Sequence, residues 1–230
     1  MGELKIVILS KNDNQCSKLI ENLHELSLNN ILVTRNPDYL NNYELDFIFL
    51  DVAFLGSEQT ISLVKDIEVY IGKPYLIINS EENLKKNRSE FQYFKKTTPN
   101  YITTDITKLD LLNEIIDALN KFNNNRKIKD LKCYDFLYLV TDKIEIKKIE
   151  MDSILEIFND NDSVYIYMKF NNDNLMIKII NMNFSSLFKS LTKDFIKIDE
   201  NNIINKGKAV NIQPDIKNKS KFKKMFSIEI

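Results

Sequence analysis

The chain has 230 residues, 43% of them apolar and 28% charged, the balance of a soluble globular protein long enough for one large domain or two small ones. A net charge of −1 excludes a uniformly basic nucleic-acid coat, and no apolar run is long enough to span a bilayer. The charge is divided unevenly: residues 1–125 carry 13 Lys and Arg against 18 Asp and Glu, whereas residues 126–230 carry 19 against 15. An acidic front and a basic back predict two modules with different partners.

Taken in order, Leu4–Leu9 reads as a short apolar strand, and Asn14–Leu26 has helical spacing with Cys16, Leu19, Ile20, Leu23 and Leu26 on one face. Ile31–Val33 is a second strand, and Pro37–Leu40 opens a brief helix. Four apolar residues then run between two aspartates, Asp46-Phe47-Ile48-Phe49-Leu50-Asp51, as a central strand of a parallel sheet requires. Chemistry in such sheets sits beyond the carboxyl ends of the strands. Asp51 is therefore expected just past that end, exposed and free to react or bind a cation, unless it only ends the strand or caps the next segment. Ser57 is the expected N-cap of a helix that turns Ile61, Val64, Ile67 and Ile71 inward and stops at Gly72-Lys73-Pro74. Tyr75–Ile78 is a fourth strand, Glu81–Lys96 a charged helix ending before Pro99, Tyr101–Thr103 a fifth strand, and Thr107–Phe122 a strongly periodic helix. Five alternations of strand and helix predict a doubly wound α/β sheet.

Asn123-Asn124-Asn125-Arg126-Lys127 has no apolar residue and reads as a linker or frayed helix end, placing a boundary near Asn125. Beyond it the period changes to two. Phe136, Tyr138 and Val140 alternate, Val164–Met168 is rich in β-branched and aromatic residues, and the polar turn Asn171–Asn174 joins it to Leu175–Ile179 as a hairpin. A short helix over Phe184–Leu191 and strands over Phe195–Ile198 and Asn202–Asn205 come next, and then a tail with Lys217, Lys219, Lys221, Lys223 and Lys224. This half is expected to be mostly antiparallel β.

Residues 4–122 resemble the receiver domain of bacterial response regulators, the signal-accepting module of two-component systems. The likeness rests on the five-fold alternation, on Asp51 at the third strand's end, on the turn Asp51-Val52-Ala53-Phe54-Leu55-Gly56 and on Pro74 before the fourth strand. Residues 132–226 resemble the LytTR DNA-binding domain through Ile154-Leu155-Glu156, the hairpin Val164–Ile179, the helix region Asn183–Leu191 and the stretch from Phe195 to Asn205. The resemblance implies a flavodoxin-like, five-stranded doubly wound receiver over residues 1–124, followed by a mostly antiparallel LytTR-type domain over 125–230. It implies a cytoplasmic transcription regulator that binds double-stranded DNA as a homodimer and takes signals from a sensor histidine kinase or a partner regulator.

The receiver pocket departs from the family pattern. The acidic pair that holds Mg²⁺ in the family falls here on Ser10 and Lys11, with Asp13 further along; the hydroxyl position falls on Asn79, and the lysine position on Thr104. Phosphoryl transfer to a carboxylate needs a divalent ion to neutralise developing charge, and Asp51 alone makes a weak site for one. The expectation is a degenerate receiver, without Mg²⁺ and with weak or no phosphoacceptance at Asp51. Lys11 either points into solvent or forms a standing ion pair with Asp51. On the DNA side, the resemblance assigns contacts to Asn159, Asn161 and Ser163 in one loop, to Asp199, Glu200 and Asn201 around a second, and to the segment near Lys217, Lys219 and Lys221 just before a C-terminal helix, with Lys197, Lys206, Lys208 and the basic tail on phosphates. Asp199-Glu200 stand where the family usually carries His and a basic or amide residue, so a second reading is a protein that binds no DNA and titrates a partner regulator or kinase. A phosphoaccepting switch is the third. The chain has only four glycines and one histidine, His24, and offers no phosphate loop, metal cluster or nucleophile–base pair, so no enzyme is expected.

Overall fold

The computed structural model describes residues 4–11, 16–42, 44–79, 101–103, 105–125, 136–171 and 173–208. The expected charged helix Glu81–Lys96, the site residues Thr104, Lys217, Lys219 and Lys221, and Asp13 lie outside them.

The first sheet is built from β1 (Ile6–Leu9), β2 (Ile31–Thr34), β3 (Phe47–Asp51), β4 (Tyr75–Ile78) and β5 (Tyr101–Ile102), all parallel, in the order β2-β1-β3-β4-β5. Its central strands are apolar on both faces because both are covered. Ile6, Ile8, Phe47, Phe49, Leu76 and Ile78 face one core with Leu19 and Leu23 of helix α1 (Ser17–Glu25). Val7, Leu9, Ile48, Leu50 and Ile77 face the other, with α2 (Val52–Leu55), α3 (Ser57–Asp66) and the π-helical turn Ile67–Ile71 that continues α3. Gly72 ends that turn in the left-handed region at φ 61°, a conformation that costs glycine little. Helix α4 (Lys108–Asn125) closes the first face through Leu111, Ile115 and Leu119, and Thr107 caps it by accepting from the Asp110 backbone amide at 3.2 Å.

Two local expectations are corrected. Ser57 is the first residue of α3 rather than its cap; Gly56 holds the cap position, at φ 76°, with no side-chain bond. Asn123 is no linker: it lies inside α4, fully buried, because its amide is engaged by the next strand.

The second sheet is antiparallel throughout, in the order β10-β9-β8-β12-β11, from β8 (Ile154–Asp160), β9 (Ser163–Phe170), β10 (Asp173–Ile179), β11 (Phe195–Lys197) and β12 (Asn202–Asn205). Its inner face carries an isoleucine row, Ile177–Ile166–Ile157–Ile203, each residue directly opposite the next. Helix α5 (Phe184–Ser190) covers that row through Leu187. A two-stranded hairpin, β6 (Phe136–Val140) and β7 (Ile146–Glu150), stands between the sheets. Tyr138 and Val140 of β6 enter the first sheet's core, while Leu137 and Leu139 enter the second's. Burying each of these large side chains contributes about 1.5–3 kcal/mol. No helix among the described residues is long and apolar enough to cross a membrane.

Candidate functional site

Two places hold the residues singled out from the sequence. The first is the carboxyl edge of the parallel sheet, at the point where strand order reverses between β1 and β3 and where open α/β sheets bind their ligands. Ser10 directly follows β1, and Asp51 is the last residue of β3, in register with Ile78 of β4. Of the two readings of Asp51, the exposed, unengaged carboxylate is overturned and the residue that ends the strand and caps the next segment is the one observed: Asp51 is 5% exposed and both its oxygens are occupied. Oδ2 accepts from the Ser10 hydroxyl at 2.6 Å, and Oδ1 accepts from the Ala53 backbone amide at 2.9 Å, which makes Asp51 the N-cap of α2. The serine at position 10 explains the closure. A second acid at Ser10 would repel Asp51, whereas a hydroxyl donates to it.

The ion pair between Lys11 and Asp51 does not form. Lys11 is exposed, and its carbonyl oxygen accepts from Arg35 Nε at 2.5 Å. Asn79, which directly follows β4, is 1% exposed, and among the described residues neither its amide nitrogen nor its oxygen has a hydrogen-bond partner. Each such buried, unsatisfied group costs roughly 1–3 kcal/mol. Ser10, Asp51 and Asn79 thus converge on one edge, but as a closed set with one hydroxyl–carboxylate pair and one unengaged carboxamide. Among the described residues no cluster of three or more His, Cys, Asp or Glu residues could hold a metal ion.

The second place is one end of the antiparallel sheet. The loop expected over Asn159–Ser163 is a two-residue hairpin turn: Asn161 and Asp162 both take positive φ, 47° and 62°, while Asn159 and Ser163 stand within β8 and β9. Two consecutive left-handed residues make the turn that matches strand twist, and Asn and Asp tolerate it best after glycine. Asn159 also ties this turn to the next loop. Its backbone amide donates to the Asn201 carbonyl at 2.8 Å, and its side-chain amide reaches Asn201 Oδ1 at 3.4 Å.

Asp199 is engaged within its own loop, accepting from the Asn201 backbone amide at 2.7 Å and from Asn202 Nδ2 at 2.8 Å. Glu200, Asn201 and Lys197 are exposed, with Lys197 Nζ 5.8 Å from the centre of the Phe184 ring. The structure therefore brings Asn159, Asn161, Ser163, Lys197, Glu200 and Asn201 to one tip. Asp160, Asp162, Asp199 and Glu200, at the same end of the sheet, are exposed as well.

No family model matches the chain, and no curated protein matches it.

Lys206 and Lys208 do not join that tip. They follow β12 at its other end, roughly 13 Å away at the rise of an extended strand. There Lys206 Nζ donates to the Lys193 carbonyl at 3.2 Å, and its backbone amide donates to the Asp194 carbonyl. Lys193 was not singled out from the sequence. Its only signal is a lysine in the short polar stretch between α5 and β11, and it gains a lysine neighbour only because β11 and β12 pair.

Behind the tip, half-buried Glu156 on β8 has its carboxyl pushed above the ordinary 4.5, by burial first and by the Asp199 charge second.

Proposed function

We propose that the chain is a DNA-binding transcription regulator of the LytTR type, working as a homodimer, whose receiver-like half binds a partner and does not serve as a phosphoswitch. The observation that carries the DNA reading is the pairing of the 159–163 turn with the 199–201 loop through Asn159 and Asn201 at one sheet end. Two side-by-side protrusions with exposed amides suit a groove, where Asn reads adenine bidentately. Exposed Lys193, Lys206 and Lys208 supply phosphate contacts along the same sheet. Selection of bound fragments from random duplex DNA by the intact protein tests this reading. Enrichment of paired repeats supports it, and a pool that stays random defeats it.

The closed Asp51 supports the absence of a phosphoswitch. Its two oxygens are already hydrogen-bonded, and Ser10 takes the place of a metal-binding acid. With a small phosphodonor and Mg²⁺, intact mass is expected to show no added phosphoryl group; stoichiometric addition contradicts this.

One observation favours a second reading, an interaction protein that titrates a regulator or kinase: the four exposed acids at this end of the sheet, Asp160, Asp162, Asp199 and Glu200, repel a phosphate backbone. Failure of the selection together with co-purification of a regulator would favour that reading.

A further inference from the structure

Strand β6 belongs to both halves of the molecule. Tyr138 and Val140, with Ile146 of β7, lie in the core of the parallel sheet, and Leu137 and Leu139 lie in the core of the antiparallel one. All four β6 residues are fully buried.

Polar contacts fix the strand on three sides. On one, Asp46, buried at the amino end of β3, collects three donors: the Tyr138 hydroxyl at 3.0 Å, Lys148 Nζ at 2.7 Å and the Lys5 backbone amide at 3.0 Å. Lys148 also lies 4.4 Å from the centre of the Phe136 ring. On the second side, Asn123 of α4 treats Tyr138 as a strand neighbour would, donating to its carbonyl at 2.7 Å and accepting from its amide at 3.4 Å. On the third, Asn181 accepts from the Val140 amide at 2.9 Å and receives at its other side Asn120 of α4, whose Oδ1 accepts from Asn181 Nδ2 at 2.9 Å. Backbone bonds from Ile180 to Val140 and from Asp142 to Lys178 join the hairpin to the end of β10.

We propose that this junction is a permanent lock: the two halves are one rigid body, and the N-terminal half acts on the C-terminal one through what it recruits, never by swinging away from it. Domains that reorient meet through small polar surfaces and re-form their contacts with water on parting. Here parting would strip a strand from one of two cores. It would also break the bonds that cross between the halves: those of Asp46 from Tyr138 and Lys148, both bonds of Asn123 with Tyr138, and that of Asn181 to Asn120. The lock sits at the amino end of β3, and Asp51 at its carboxyl end, so the two ends of one strand have separate duties. The inference stands whether or not the antiparallel sheet meets DNA.

The test uses the full chain with a sequence-specific protease site introduced between residues 125 and 136, folded intact and then cut. Both pieces are expected to elute together at the volume of the uncut protein, and the cut protein carrying Asp46→Ala and Tyr138→Ala is expected to separate. Two separate peaks from the cut parent chain would overturn the proposal. Calorimetry of the uncut chain gives an independent readout. One transition with equal calorimetric and van't Hoff enthalpies is expected, and two resolved transitions would overturn the lock even if the introduced site resisted the protease.

Discussion

A carboxylate's neighbours decide what its oxygens are bonded to, and both oxygens of Asp51 are engaged. Its two hydrogen bonds reach forward to Ala53 and back across the sheet to Ser10. Replacing Asp51 by Ala removes a helix cap, worth about 1 kcal/mol, and leaves the Ser10 hydroxyl buried without its acceptor. A loss of about 2 kcal/mol in urea unfolding is expected. Asp51→Asn keeps a capping oxygen and is expected to cost less than about 1 kcal/mol. A reactive, exposed aspartate would show the opposite, with little change in stability on either substitution. The position of Asp51 was legible in the sequence, because four apolar residues between two aspartates mark a central strand and its ends. Its closure was not, since that depends on a serine 41 residues earlier whose hydroxyl meets it only once β1 and β3 pair.

Among the elements, the regular strands and helices were legible from their period, and the junction was not. The isoleucine row of the second sheet follows from alternation, whereas three asparagines after an apolar helix look like a linker by composition. Asn123 reads differently once β6 lies beside it, because a buried amide between two backbone groups of Tyr138 substitutes for a missing strand. Asn123→Ala is expected to destabilise the protein by about 2–3 kcal/mol, measured by urea unfolding, since both Tyr138 backbone groups lose their partner.

Strand β8 carries a pH signature. Burial, and then the Asp199 charge, raise the Glu156 carboxyl above 4.5 in the folded state. A carboxyl with a raised folded pKa contributes stability that is complete below its unfolded value and is lost as pH rises through the folded one. Relative to Glu156→Gln, the wild-type chain is therefore expected to lose stability as pH climbs from about 4.5. A difference between the two that stays flat with pH, followed by urea midpoints, would contradict this.

At the scale of the whole molecule, an uneven charge is laid over a shared core. The net negative first half and net positive second half are bound through β6, so the proposed DNA surface is carried in a fixed relation to an acidic platform. The basic character of the back half was legible as a count, but its distribution was not. Lys206 and Lys208 stand at one end of β12 with Lys193, and Lys197 stands toward the other, the end that also carries four exposed acids. Affinity for a polyanion then has to come from the lysine end, and discrimination between sequences from the asparagine tip. The direct measurement is the affinity of the intact protein for its selected duplex across a salt series. Phosphate contacts by Lys193, Lys206 and Lys208 predict a line of log affinity against log salt with a slope of about −3 or steeper, made shallower by Lys206→Ala and Lys208→Ala; binding that ignores salt, or no binding at any salt, would contradict the proposal.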